Sequence, residues 1–336
     1  MKKTLLATLI PALFFANAAS ANVELYKDDV NTFSVGGHLS AGFTDSDDKD
    51  LDVESISSRI NFEATRVLSN GFTADAKVEW AINMQKGGDN SLTTRLGYLG
   101  LTHESYGRAV LGTQWVPTYA VTGVADMPLA LANDFLYDDM ELGRSRADRM
   151  FSYTNSWAFS QDVALNLGLG WQASDSVTTE KHEMDQTTGL YEFSRTTVKY
   201  DDRYQAALSL DISKFSFGLA YNDGDVDNED STYFNVSAKY GTYGKGLYLA
   251  GVYGDNDVAD LDSTEIELLA AYAFANTVNV SLNYEEVDPD HGSDIRETAA
   301  LQVEYNFLPN VIGYVGYQAD LDESDDVFKI GGRIIL

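Results

Sequence analysis

The chain has 336 residues, with 52 acidic side chains against 23 basic ones and no cysteine. The missing thiols exclude a disulfide scaffold, a cysteine-ligated zinc site and a thiol enzyme. A formal charge of −29 and a pI near 4.2 argue against nucleic acid as a partner, because phosphate binding needs clustered Lys and Arg. Aromatic residues make up 12% of the chain, 20 of them Tyr, which is too many for a solvated tail. A mean hydropathy of −0.23 and the presence of no more than one long apolar run rule out a helical membrane protein.

That run comes first. Lys2 and Lys3 precede an apolar stretch from Leu5 to Ala16, and Ala19-Ser20-Ala21 supplies small residues at −3 and −1 of a cleavage site. Residues 1–21 are therefore expected to be a signal peptide, and residues 22–336 the mature, exported protein. Removing Lys2 and Lys3 takes the formal charge from −29 to −31.

The rest of the chain has period-two patterning, the mark of strands with two unlike faces. Ile56, Ile60, Phe62 and Ala64 alternate with Ser57, Arg59, Asn61 and Glu63. After a tight turn at Ser69-Asn70-Gly71, Phe72 to Trp80 repeats the pattern and puts Lys77 and Glu79 on the polar side. Leu165, Leu167 and Leu169 alternate with Asn166, Gly168 and Gly170, and the pattern runs on to Phe328-Ile330-Gly332-Ile334-Leu336. Sixteen such segments start near Phe33, Ser55, Phe72, Thr94, Tyr106, Arg149, Val163, Val198, Phe215, Thr232, Leu247, Thr264, Val278, Arg296, Val311 and Val327.

The connections alternate in kind. Short turns at Ser213-Lys214, Gly241 to Lys245, Ala275-Asn276 and Leu308 to Asn310 interleave with acidic stretches at Asp45 to Asp52, Asn222 to Asp230, Asp255 to Asp262, Asp288 to Asp294 and Asp320 to Asp326. Short turns on one rim, long loops on the other, and strands of roughly ten residues fit an outer-membrane barrel. Aromatic residues at strand ends, such as Phe72, Trp80, Trp171, Tyr221, Tyr284 and Phe307, suit the two lipid interfaces. The fold class expected is all-β: a sixteen-stranded antiparallel transmembrane barrel.

Specific stretches resemble the general-diffusion porins of Gram-negative outer membranes. They are Val23 to Asp28 at the mature start, Thr94 to Leu101 followed by Tyr106-Gly107-Arg108, and Arg146 to Tyr153. The resemblance covers essentially the whole mature chain. It implies a homotrimer in the outer membrane, surrounded by lipopolysaccharide and outer-membrane lipid, each barrel passing ions and small hydrophilic solutes through a water-filled pore. It also implies that the break in the strand pattern at 113–145 is a constriction loop folded into the lumen. Arg59, Arg95 and Arg146 match the arginine ladder of such pores, and Asp126 matches the first acid of the loop. The next acid is replaced by Leu129-Ala130-Leu131-Ala132, with Asp134 the nearest substitute. The lumen-facing Lys of the first strand is absent, and His38 or Gly37 stands there. His38, Glu63, Lys77 and Glu79 are the expected pore lining. The chain ends in Leu336 where porins usually end in Phe.

Other functions leave weaker traces. His38, His103, His182 and His291 have no partner pattern that makes a catalytic set, and no phosphate loop or HExxH motif is present, so neither an enzyme nor a cofactor is expected. Asp223-Gly224-Asp225-Val226-Asp227 is of a type that collects divalent cations loosely. Trp115, Tyr119 and Tyr137 in the long loop keep a second reading open, an oligosaccharide-specific channel with an aromatic track. The acidic loops predict a mild preference for cations.

Overall fold

A computed structural model describes residues 22–47, 49–85, 91–131, 140–184, 191–259, 261–275, 277–290, 296–322 and 325–336. The expected signal peptide, residues 1–21, lies outside them. In chain order the strands are β1 (Val23–Lys27), β2 (Asn31–Ser46), β3 (Lys49–Glu54), β4 (Arg59–Val67), β5 (Phe72–Ile82), β6 (Leu92–His103) and β7 (Gly107–Trp115). After a short helix α1 (Tyr119–Thr122) come β8 (Arg146–Ala158), β9 (Val163–Gln172), β10 (Asp175–Met184), β11 (Tyr191–Tyr200), β12 (Arg203–Ile212) and β13 (Phe215–Val226). The series ends with β14 (Glu229–Thr242), β15 (Lys245–Val258), β16 (Leu261–Phe274), β17 (Val278–Pro289), β18 (Arg296–Leu308), β19 (Val311–Asp320) and β20 (Val327–Ile335).

These strands form one antiparallel sheet that closes into a sixteen-stranded barrel. β3 and β4 are two halves of one wall strand, broken where Ser57 takes a positive φ of 59°. β2 is shared between them and β20, which it meets from His38↔Ile335 to Ser46↔Val327. The Leu336 N–H donates to the Gly37 carbonyl, and β1 lies beside β2 from Val23↔Val35. The two ends of the chain thus complete a single wall strand and leave no open edge there.

Two expectations need correction. The wall strand expected to start near Val198 starts at Arg203: β9 pairs directly with β12, and the β10–β11 hairpin, which ends at Tyr200, stands outside the wall. The acidic stretches at 222–230 and 255–262 are paired strands and not long loops. β13 and β14 stay in register to Val226↔Glu229 and turn at Asp227 and Asn228, both with positive φ. β15 and β16 likewise pair to Val258↔Leu261. Ladder bonds use only the backbone, and above the membrane both faces meet water, so polar side chains conceal such strands from a pattern search.

The two faces of the wall are opposite to those of a water-soluble protein. Leu208 and its cross-strand partner Leu219 are 41% and 49% exposed, whereas the adjacent inward residues Ala207 and Ala220 are each 2% exposed. Inward Asn222, Asn235, Gln302 and Ser281 are buried, and outward Phe217, Leu282 and Leu301 are bare. Apolar outside and polar inside is the arrangement for a lipid surround and an aqueous interior. Aromatic side chains edge the apolar band, with Phe215, Phe274, Tyr305 and Phe307 towards the short turns and Tyr221, Tyr253 and Tyr317 towards the other rim. No helix among the described residues is long and apolar enough to cross a membrane; the crossing is by strands.

Candidate functional site: the barrel lumen

The described parts of the connection between β7 and β8, residues 116–131 and 140–145, lie against the inward face of the wall. The first limb seats on apolar residues: Val116, Tyr119, Val124 and Ala125 pack with Tyr248, Ala250 and Val252 of β15 and Leu269 and Ala271 of β16. The Tyr248 hydroxyl donates to the Val124 carbonyl at 2.5 Å. A Cβ on Gly218 of β13 would come within 2.9 Å of Val121, so the wall there admits the loop only because it is glycine.

The tip is held by polar groups. Gln302 accepts from the Ala130 and Leu131 N–H groups at 3.1 and 3.0 Å, and Glu304 accepts from the Leu129 N–H at 3.1 Å. Asn283 donates to the Leu131 carbonyl at 3.1 Å. Glu304 is further supported by Tyr243 at 3.0 Å and by the Gln302 amide at 2.7 Å. The returning limb is tied by Gln172, Gln205 and Asn222 to the carbonyls of Met140, Gly143 and Leu142. Beside it Arg144 pairs with Glu265 at 2.5 Å and lies over the Tyr233 ring, 4.5 Å from its centroid. In a low-dielectric wall each of these polar groups needs its partner, so the loop's path is closely specified.

A basic cluster occupies the inward face of β4 to β6. Glu79, with a side chain only 6% exposed, accepts from Arg95 Nε at 3.1 Å and has Arg59 at 3.6 Å and Lys77 at 3.9 Å. Arg59 also donates to the Ser57 carbonyl at 3.1 Å and to the Ser57 hydroxyl. One carboxylate thus serves three cations on its own wall. Arg146 lies 5.8 Å from the Trp115 ring centroid, and its charge, like that of Arg95 and Arg333, acts on Arg59. His38 is buried and within the field of Arg333, Arg59 and Arg95.

The sequence-derived residues therefore separate. Arg59, Arg95, Lys77 and Glu79 come together, with Arg146 and His38 close by. Asp126 is on the loop, where its Oδ2 accepts the Tyr119 hydroxyl at 2.5 Å, and Tyr119 in turn stacks on Trp115 at 4.3 Å. Glu63 sits lower on the wall and accepts from Asn22 at 3.4 Å. Asp134 and Tyr137 lie outside the described residues, as does His291, and the His182 side chain is not described.

Sequence reading missed the Arg108–Asp75 pair (2.5 Å), Arg144, and Arg333, which donates to Ser40 at 2.8 Å. Asp75 shares the alternating face with Lys77 and Glu79, which was a usable signal; Arg333 needed the closure of the last strand on the first. His103 belongs to the rim, stacked on Tyr106 and tilted against Phe72. Among the described residues no group of three His, Cys, Asp or Glu side chains is placed to hold a metal ion.

A closed wall, apolar outside and polar within, with a folded loop lying inside it, defines a membrane channel. The family model for Gram-negative porins matches residues 6–326, and the chain belongs to that family. It is similar to outer membrane protein U of Vibrio parahaemolyticus, 27% identical with 99% of this chain and 94% of that one covered. Outer membrane porin N of Escherichia coli is 24% identical, with 99% and 96% covered. Among solved structures, Salmonella typhi OmpF, described in complex with daunomycin, matches with a TM-score of 0.73 at 17% identity over 94% of this chain and all of that one. An anion-selective porin from Comamonas acidovorans matches at 0.72, with 14% identity over 91% of this chain and all of that one. OmpT of Vibrio cholerae, described in its trimer form, matches at 0.66, with 18% identity, 92% of this chain and all of that one. The protein is thus a Gram-negative outer-membrane porin, a β-barrel channel for passive diffusion.

Proposed function

We propose that this porin is a general-diffusion pore whose narrowest part is formed by the inward loop on one side and Arg59, Arg95 and Arg146 on the other. The observation that carries this reading is the seating of residues 116–131 on the inward faces of β15 to β18, opposite the basic wall. Asp126 and Asp134 are the loop acids of this constriction, and His38, Glu63, Lys77 and Glu79 line the passage. Solutes are ions and small hydrophilic molecules, and the reading includes no enzymatic step and no cofactor. Acids crowd the outer hairpin ends and loops of a chain whose formal charge without Lys2 and Lys3 is −31, so the mouth concentrates cations and makes the pore mildly cation-preferring. The same loops gather divalent cations loosely, and the apolar band contacts outer-membrane lipid and lipopolysaccharide.

The assembly is a homotrimer. Support comes from the trimeric relative among the solved structures and from a shallow apolar groove on the outer face lined by Phe33, Phe62, Ala64, Ala76, Val78 and Leu99. An oligosaccharide-specific channel is less well supported, because Tyr119, one member of the expected aromatic track, is buried with its hydroxyl engaged. Liposome swelling with sugars of graded size tests the reading: rates falling smoothly with solute size are expected. Swelling by one sugar class alone, with saturation, contradicts it.

A further inference from the structure

We propose that Arg333, on the last strand, is a selectivity-determining residue of the pore, acting with Arg59 as the two cations that flank β2 at His38 and Ser40. The inference rests on the channel reading above. In the register of the closing seam Arg333 is opposite Ser40, and on the other side of β2 Arg59 is opposite His38. His38 and Ser40 are both buried on the inward face of β2. With strands about 4.8 Å apart, the two arginine Cα atoms stand about 10 Å apart across β2 and one inward rung out of step. That places two guanidinium groups on either side of one lumen-facing strip.

The surroundings leave the charge of Arg333 directed at the passage. Its described hydrogen bond goes from Nε to the neutral Ser40 hydroxyl at 2.8 Å, and among the described residues no carboxylate closes on it as Glu79 closes on Arg95. The acid whose field reaches it is Glu304, whose oxygens accept from the Leu129 N–H, Tyr243, Gln302 and Asn279 while holding the loop tip. Between the two arginines, His38 Nε2 is buried with no hydrogen-bond partner among the described residues. The strip is therefore basic at its edges and bears no acid of its own. An anionic group on a passing solute, a carboxylate or a chloride ion, is drawn to it, and a cation is turned towards the loop.

The test is the reversal potential of single channels in a KCl gradient near 0.1 M, for the wild type, Arg333→Gln, Arg333→Lys and Arg333→Gln combined with His38→Lys. Arg333→Gln is expected to raise the potassium-to-chloride permeability ratio about twofold to threefold, the effect on both ions of one unit charge at about 7 Å in water, roughly halved by screening at about 0.1 M. Arg333→Lys should stay near the wild type, and the added Lys at 38 should restore most of the shift, since it returns a cation to the same strip. An unchanged ratio in Arg333→Gln, with normal assembly, overturns the inference while leaving the channel reading intact. Equal shifts in Gln and Lys variants, with no rescue by Lys at 38, also overturn it, because they assign Arg333 to holding the seam. A wild type that conducts no ions contradicts the channel reading itself and this inference with it.

Discussion

The Tyr119 hydroxyl donates to Oδ2 of Asp126 at 2.5 Å, so the first acid of the inward loop is held by a side chain of the loop's own short helix. Tyr119 is 5% exposed, stacked on Trp115 and packed under Val124 and Ala125. The acid that sequence alone sets across water from Arg59 and Arg95 is thus anchored at a fixed place, and those two arginines share Glu79. The electric field of the pore arises from charges held by separate structural supports. Asp126→Asn should shift selectivity towards anions. Tyr119→Phe retains the charge and the ring, so its reversal potential should match the wild type while open-channel noise increases. A shift in Tyr119→Phe as large as that in Asp126→Asn would contradict this division of roles.

The loop tip depends on Gln302. Gln302→Leu leaves the Ala130 and Leu131 N–H groups without their acceptor, at a cost of about 1–3 kcal/mol for each buried group. The barrel should still assemble, because Gln302 is not needed for the backbone ladder between β18 and β19. Current recordings should show frequent sub-states as the tip detaches. Quiet, wild-type traces would mean that the tip is held elsewhere.

Charge on the lipid face should cost far more than charge in the lumen. Leu208→Arg places a guanidinium near the middle of the apolar band and should destabilise the barrel by about 2–4 kcal/mol, measured by unfolding in urea from lipid vesicles. Ile60 also faces outward but is half-buried, opposite Trp80 and beside the groove. Ile60→Arg should therefore lower the yield of trimers more than the stability of a single barrel. Wild-type trimer yield would argue against that face as the contact.

The barrel closes at a pair of glycines. Gly42 and Gly331 oppose each other across β2 and β20, and the Tyr314 hydroxyl lies over both. A Cβ at 331 would run into that hydroxyl and approach the Ala41 carbonyl to 2.6 Å. Gly331→Ala should cost about 1–3 kcal/mol through overpacking and slow the final closure in refolding assays. The combination with Tyr314→Phe should recover part of the loss, because it removes the obstructing oxygen.

How much of this was legible in the sequence follows from what each feature depends on. The wall strands are local: a face that alternates Leu165, Leu167 and Leu169 against Asn166, Gly168 and Gly170 declares itself within one segment. The hairpin tips around Asp227 and Asn228 are hidden because both faces there are polar. The β10–β11 hairpin has strand-like residues but pairs outside the wall, which only the β9–β12 register reveals. Arg59 and Arg95 could be aimed at the lumen by alternation or resemblance. That they meet at Glu79 depends on two registers and on the bulge at Glu79/Trp80. Arg333 is more distant still, since it enters the site only when the ends of the chain join.

The most direct test of the account is the conductance of single channels in planar bilayers as KCl is raised from about 0.1 M to about 1 M. A water-filled passage with fixed charges at its wall predicts conductance rising almost in proportion to bulk salt, and a cation preference that fades as the Debye length falls from about 10 Å to about 3 Å. Conductance that saturates at low salt, or no conductance from folded trimers, would contradict it.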